Sequence, residues 1–441
     1  MIATSLLTAI ALATSPPTYT AVVDARFTGA DGAVVGGTPT YHTIGAALRA
    51  LPADGSERAT IFVRDGRYRE KLSVDRANVT LIGESRDRTI LTYDAIADDR
   101  APDGGTYGTR GSFTLRVTAP DFHAEHLTVE NAFDYAGNLR KAAEDSTRRR
   151  NVQGVALAID GQADRASFED VRVTGHQDTL FPNTGRSYFH RCEITGSVDF
   201  VFGAGTAVFE DCDIVSRDRG SPTNNGYVTA PSTPASRPIG FLFVRSRLRK
   251  ESPAMAAASV VLGRPWHPSG STDVVPSAVF YECWMDDHIG AKGWDRMGMT
   301  DATGARVWAD PADARFFEHH SAGPGAVASP SRRQLSADDV TRYTVARALG
   351  DWTPDGAGTS TGSPDRLRAD AQAMRSAGAS APRSRVASDS DWAGMSVLRV
   401  EELFIGRFPG VQVVQTPQGL SIRIRGTNSV RGNNEPLFVI D

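Results

Sequence analysis

The chain has 441 residues, 40% hydrophobic and 23% charged, which is ordinary globular usage with material for a large core and for more than one domain. A net charge of -4 with scattered Lys and Arg gives no footprint for nucleic acid, although a local basic cleft for an acidic polymer stays open. No run of 18 or more apolar residues exists, which argues against a transmembrane helix.

The chain opens with MIATSLLTAIALATSPPTYTA. Residues 1–15 read as the apolar heart of a signal peptide, followed by small residues and prolines. The usual leading Lys or Arg is missing, and the competing reading is a frayed apolar terminus. From residue 16 to 352 the pattern is that of strands. ATIFVRDG, NVTLIGES, FTLRVT and AEHLTVEN are short, β-branched and alternating, and are punctuated by Gly, Asn and Asp.

The later segments repeat one another. ASFEDVRVTG, SYFHRCEITG, AVFEDCDIVS, FLFVRSRLRK and AVFYECWMDD share a Phe, then a small or apolar residue, then an aliphatic. The anchors Phe168, Phe189 and Phe209 lie 21 and 20 residues apart, while Phe243 and Phe280 follow at wider spacing, as if loops were inserted. A repeat of strands and tight turns at this period predicts an all-β solenoid of the parallel β-helix kind, whose turns bury their apolar faces only by stacking. A β-sandwich is the competitor, and it fits the turn spacing less well.

In such a solenoid, residues one repeat apart sit on neighbouring strands about 4.8 Å apart. VTGHQDTLF and ITGSVDFVF therefore bring Asp178 and Asp199 side by side, and stack Gln177 on Val198. Two close carboxyls cannot both ionise comfortably, so one keeps its proton while the other stays anionic. The competing reading is a ladder of turn-capping Asp residues, which the apolar TLF and FVF that follow disfavour. Cys192 and Cys212 also fall at matching positions, within the roughly 4.4–6.8 Å that a disulfide tolerates. In an exported protein they are candidates for a disulfide that leaves Cys283 free; the alternative is two stacked buried thiols.

At these residues the chain resembles the pectin methylesterase (pectinesterase) family. GHQDTLF, GSVDFVFGAGTAVFEDC and LGRPW are similar to its signature blocks, NVQGVAL around Gln153 to a fourth, and the four occur in the family's order. The resemblance, from about Ala21 to Trp352, implies a right-handed parallel β-helix and a carboxylic-ester hydrolase that removes methyl esters from galacturonate residues of pectin. It implies Asp199 as nucleophile, Asp178 as general acid and then base, and Gln177 with Gln153 as amide donors to the oxyanion. Arg264 is expected to hold Asp199 ionised, and Trp266 to offer a sugar-stacking face. Phe202, Val198, Thr109 and Met297 are expected to line the groove. Carboxylates and amides cover the chemistry, so no metal and no cofactor are expected. The alternatives are another β-helix pectin-active enzyme (a polygalacturonase or a lyase) and a non-catalytic glycan-binding component.

Three further features carry less. His176 is taken as support for the Gln-Asp pair. His319 and His320 are adjacent and point two ways on a strand, which disfavours a metal site. GTSTG (Gly358 to Gly362) matches a nucleophile-elbow pattern but lacks the flanking strand and helix.

Residues 353–390 are rich in Gly, Ser, Ala, Pro, Arg and Asp and read as a flexible linker. Residues 391–441 resemble the start of the plug domain of TonB-dependent outer-membrane receptors, with LSIRIRG predicting a strand and RGNNEP a turn. This small, partial segment is either a docking unit for an outer-membrane receptor or complex, or the scar of a fusion. The expected location is outside the cytoplasm: periplasmic, outer-membrane-associated or secreted.

Overall fold

The computed structural model describes residues 19–301, 303–354, 411–416 and 419–424. The expected signal segment 1–15, the expected linker beyond residue 354, GTSTG and the turn expected at RGNNEP lie outside the described residues. The chain divides into two compact units, Met1–Ala373 and Met374–Asp441.

Within the first unit, the described residues form three long sheets of 12, 8 and 7 strands. Successive strands of the chain visit the three sheets in rotation, so sequence neighbours lie on different faces and the ladder neighbours are one coil apart. Pairing between coils is parallel, with Phe168 opposite Phe189, Phe189 opposite Phe209, Phe209 opposite Phe243, and Phe243 opposite Phe280. The parallel β-helix expected from the repeats is therefore the fold. The wider spacing after Phe209 is taken up between strands, and the register closes again behind each insertion.

The anchors make a continuous aromatic column. Ring centroids are 4.6, 4.9, 4.5 and 4.5 Å apart from Phe168 through Phe280, with nearly parallel planes. All five rings are buried to within about 1% of full burial. Stacking at this distance adds to the area term, because flat rings fill a column one coil thick without voids.

Behind each Phe the chain turns a sharp corner through a single residue with positive φ: Asp170, Arg191, Asp211, Arg245 and Glu282. A left-handed residue other than Gly costs about 1–2 kcal/mol. The next position then points inward, where Cys192, Cys212, Ser246 and Cys283 form a second column. Each donates back across the corner: Cys192 to the carbonyls of Phe168 and His190, Cys212 to those of Phe189 and Glu210. Ser246 follows the same pattern with Phe209 and Val244.

This column corrects the disulfide expectation. Cys192 and Cys212 are free buried thiols, as is Cys283. Parallel coils present their side chains in the same direction, one coil apart, and each sulfur donates to one carbonyl of its own corner and one of the preceding coil.

The ends of the helix are closed. The helix Ile44–Ala50 is capped by the Thr43 side chain and seats Ile44 and Ala47 in the core. At the other end Trp294 stacks on Phe316 at 4.3 Å, beside the buried Arg332–Glu318 pair. The helix Val345–Leu349 folds back on the outside of the largest sheet, where Ala348 and Leu349 join Tyr188, Val208 and Leu242 in a separate cluster. In the second unit the described residues are an antiparallel hairpin, Val411–Thr416 with Gly419–Ile424. The expected strand at LSIRIRG falls on its second arm.

Candidate active site

The strands Leu180–Pro182 and Val198–Gly203 are ladder neighbours in the seven-stranded sheet, with Leu180 opposite Val201. That offset places Asp178 and Asp199 at equivalent positions on adjacent coils. Both have left-handed backbones, at φ 60° and 49°, a conformation that Asp tolerates better than most residues. The Asp178 N–H donates to the Val198 carbonyl at 3.0 Å, which ties the two corners together. On its other side the strand with Asp199 pairs with Gly226–Pro231, and the register slips between Val198 and Val201. An irregularity of this kind re-aims a side chain, and here it lies at Asp199.

The strand Val260–Gly263 comes next in the ladder and delivers Arg264. Gly263 is required for close approach, since a Cβ there would lie 2.1 Å from Thr229 Oγ1. The backbone N–H of Arg264 donates to Thr229 O, and that of Trp266 to Pro231 O, both at 3.0 Å. These bonds turn the Gly-Arg-Pro-Trp segment across the sheet. Arg264 then reaches Asp199 with two hydrogen bonds, Nε to Oδ1 at 2.8 Å and Nη2 to Oδ2 at 2.6 Å. Its guanidinium lies 4.0 Å from the centroid of Tyr227.

The two carboxyls are held differently. Burial pushes Asp178 well above the ordinary carboxyl range and the neighbouring Asp199 charge pushes it further, with Arg264 opposing. Burial also raises Asp199, and the Arg264 fork and the charge of Arg219 oppose that rise only in part, so its carboxyl still lies above the ordinary range. Of the two, Asp178 is the member whose carboxyl holds its proton more tightly, because only Asp199 has the guanidinium fork. Burial, aided by Arg217, drives the His176 imidazole down to about 3, so it stays neutral while stacking on Tyr135 at 4.6 Å.

A groove of about 790 Å³ opens over this pair. Asp178, Asp199, Gln177, Gln153 and Arg264 all line it, as do Trp266, Phe202, Thr109 and Met297. Among the described residues neither Gln side chain has a hydrogen-bond partner, and Gln153 Oε1 is buried unpaired. Phe181 stacks on Phe202 at 4.5 Å, and Phe202 meets Trp266 at 5.7 Å, which gives the groove an aromatic wall.

Val198 corrects the expectation made for it. Its side chain is buried and is not part of the lining; its contribution is the carbonyl that receives Asp178. The sequence reading missed Tyr107, Arg110, Phe181 and Ser269, which also line the groove. Phe181 had a signal in the repeated apolar run after each Asp. Tyr107, Arg110 and Ser269 come from insertions between strands and follow no period. His319 and His320 stack on each other at 3.9 Å, away from this groove, and no group of three or more metal-ligating side chains gathers among the described residues.

A family model described as Pectinesterase matches residues 33–350. The chain is 40% identical over 326 residues to Pectinesterase A of Dickeya chrysanthemi, covering 71% of this chain and 88% of that protein. The chain belongs to the pectinesterase family. Among solved structures, a pectin methylesterase in complex with a hexasaccharide is similar at a TM-score of 0.72 and 40% identity, over 77% of this chain and 99% of that one. The pectin methylesterase from Yersinia enterocolitica is similar at 0.69 and 43% identity, over 71% and 100%. The match with pectinesterases spans the coils that carry Asp178, Asp199 and Arg264.

Proposed function

We propose that this pectinesterase-family enzyme hydrolyses the methyl esters of galacturonate residues in pectin and releases methanol. The observation that carries the reading is the divided carboxyl pair: Asp199 gripped by two hydrogen bonds from Arg264, next to Asp178, which burial and the Asp199 charge raise well above the ordinary carboxyl range.

In the proposed reaction an Asp199 oxygen attacks the ester carbonyl carbon. Negative charge collects on the carbonyl oxygen, where the amide groups of Gln177 and Gln153 donate hydrogen bonds; one such donor is worth about 3–4 kcal/mol in the transition state. The bond from carbon to the methoxy oxygen breaks as Asp178 gives that oxygen its proton, and methanol leaves. An anhydride joins the galacturonyl group to Asp199. Asp178, now a carboxylate, takes a proton from water as the hydroxide oxygen adds to the galacturonyl carbon. The anhydride opens, Asp199 returns as a carboxylate, Asp178 is again an acid, and the product acid ionises in solvent. The aromatic wall of Phe181, Phe202 and Trp266 suits the apolar faces of pyranose rings.

The test is methanol release from methylated pectin by wild type and Asp199→Ala. Loss of about a thousandfold or more is expected, since the nucleophile is gone. Activity kept within about tenfold sinks the assignment. Reducing ends formed from the same polymer by the wild type would point to glycoside cleavage instead. A polymeric substrate also suits an enzyme that works outside the cytoplasm, which signal-peptide cleavage and fractionation would test. The attachment of residues 391–441 to an outer-membrane receptor is a separate proposal; deleting them should release the protein from outer-membrane fractions without loss of esterase activity.

A further inference from the structure

The strands Met297–Thr300 and Arg306–Ala309 form an antiparallel hairpin with two unlike faces. Successive residues of a strand point to opposite sides, so Met297, Met299, Val307 and Ala309 share one face. Met297 lines the groove and Ala309 is buried, so that face looks toward the body of the protein. Gly298, Arg306 and Trp308 belong to the other face, and neither Arg306 nor Trp308 lines the groove.

Trp308 is 52% exposed, the only Phe, Tyr or Trp left mostly in water among the described residues. Two guanidinium groups flank it. The Arg296 carbon lies 4.3 Å from a ring centroid of Trp308, and that of Arg306 lies 5.8 Å away. Gly298 sits opposite Trp308 and makes this possible, since a Cβ there would meet Arg306 Nη2 at 2.7 Å. Neither Arg has an ion pair among the described residues. The nearby carboxylates are used elsewhere: Asp295 by Lys292 at 2.7 Å, Asp301 by its own turn at Thr303 and Ala305, and Asp310 by the Ala312 N–H.

An exposed indole with two unneutralised guanidinium groups fits a ligand that has a flat apolar face and carries carboxylates. The ring takes the C–H face of a pyranose, and a guanidinium fork matches two coplanar carboxylate oxygens. A galacturonate unit holds both features, and a methylated unit only the first. We propose that Trp308, with Arg296 and Arg306, forms a second binding site, outside the catalytic groove, for de-esterified galacturonate units of the polymer. A chain held there offers its remaining esters to the groove at a raised effective concentration. The inference rests on the demethylation reading for its ligand, and its first measurement is of binding alone.

The experiment compares wild type, Trp308→Ala and the double variant Arg296→Gln/Arg306→Gln, all changed at exposed side chains. Fully de-esterified homogalacturonan is the binding probe. Its Kd should weaken about tenfold in either variant, and added salt should weaken wild type more than the double variant. In turnover, KM for partly de-esterified pectin should rise about tenfold at unchanged kcat. The kcat/KM for a methylated trisaccharide, too short to reach both sites, should stay as in wild type. An unchanged Kd overturns the site, and so does an equal loss of kcat/KM on trisaccharide and polymer, which would place the hairpin in the service of the groove. Equally tight binding of a single-stranded oligonucleotide, lost with Trp308, overturns the choice of ligand. Wild type that releases no methanol, while Trp308→Ala still weakens binding of the de-esterified polymer, removes the demethylation reading and keeps the site.

Discussion

Arg264 grips Asp199 with both arms of its guanidinium, at 2.8 and 2.6 Å, across a separation of two coils in space and 65 residues in sequence. This pair breaks the symmetry between two carboxyls that the repeat would otherwise treat alike. Asp178 has no such partner, so its burial and its neighbour's charge act on it unopposed except at longer range.

Replacing Arg264 by Lys keeps a positive charge but loses the planar fork. Burial then pushes Asp199 upward with less opposition, so the carboxyl takes up its proton at higher pH. The acid limb of the pH–kcat/KM profile should move to higher pH, and kcat should fall about tenfold to a hundredfold. A profile that does not move would show that Arg264 is not what keeps Asp199 ionised.

Asp178→Asn keeps the shape and removes the proton. The rate of methanol release should fall by about 10²–10⁴. In wild type the first step needs Asp178 protonated, so activity should decline as pH rises through its elevated pKa. The variant should lack that alkaline limb, and retention of the limb would assign it to another group.

Stability should carry a pH signature from His190. Asp211 and Glu169 raise its imidazole to about 9, with Glu169 at 2.7 Å. The folded state therefore binds the proton more tightly than the unfolded chain, whose His titrates near 6.5. The stabilisation is complete below about pH 6.5, is on the order of 3 kcal/mol there, and is lost as pH rises through about 9. Urea unfolding of wild type and His190→Gln should show a gap that is widest below about pH 6.5, narrows as pH rises toward about 9 and is closed above it. A gap independent of pH would remove the ion-pair explanation.

The aromatic column should be sensitive to a single hole. Phe209 stacks at 4.9 and 4.5 Å on its two neighbours and is fully buried. Phe209→Ala should cost about 3–5 kcal/mol in chemical denaturation, and Phe209→Leu less, because it refills part of the cavity. Equal costs for both would argue that ring stacking, rather than filled volume, holds the column.

The cysteines offer a direct check on the corner column. All three are free and buried. Thiol titration of the denatured, unreduced protein should find three thiols, and reductant should leave Tm unchanged. A count of one would restore the disulfide.

Much of this architecture was legible in the chain. A solenoid makes sequence period and spatial stacking the same quantity, so Phe168, Phe189 and Phe209 announced a column, and Asp178 and Asp199 a pair. The same rule misled at Cys192 and Cys212. Period places two residues on adjacent coils, yet it is silent on what each sulfur does there, and carbonyls of the corner had the prior claim on both. Val198 misled for a related reason. Its neighbour Asp199 lines the groove, but Val198 is buried beside the slip in register and is not part of the lining.

The repeats by themselves determined the β-helix, the aromatic core and the adjacency of the two carboxyls, because each depends on one offset applied over and over. The tertiary structure alone decided which carboxyl is gripped by a guanidinium and which groove-lining guanidinium makes no ion pair among the described residues. Arg264 and Arg110 arrive from segments 154 residues apart that obey no period. Their partners follow from distances that only the folded chain sets: two hydrogen bonds to Asp199 for one, an open aromatic wall for the other.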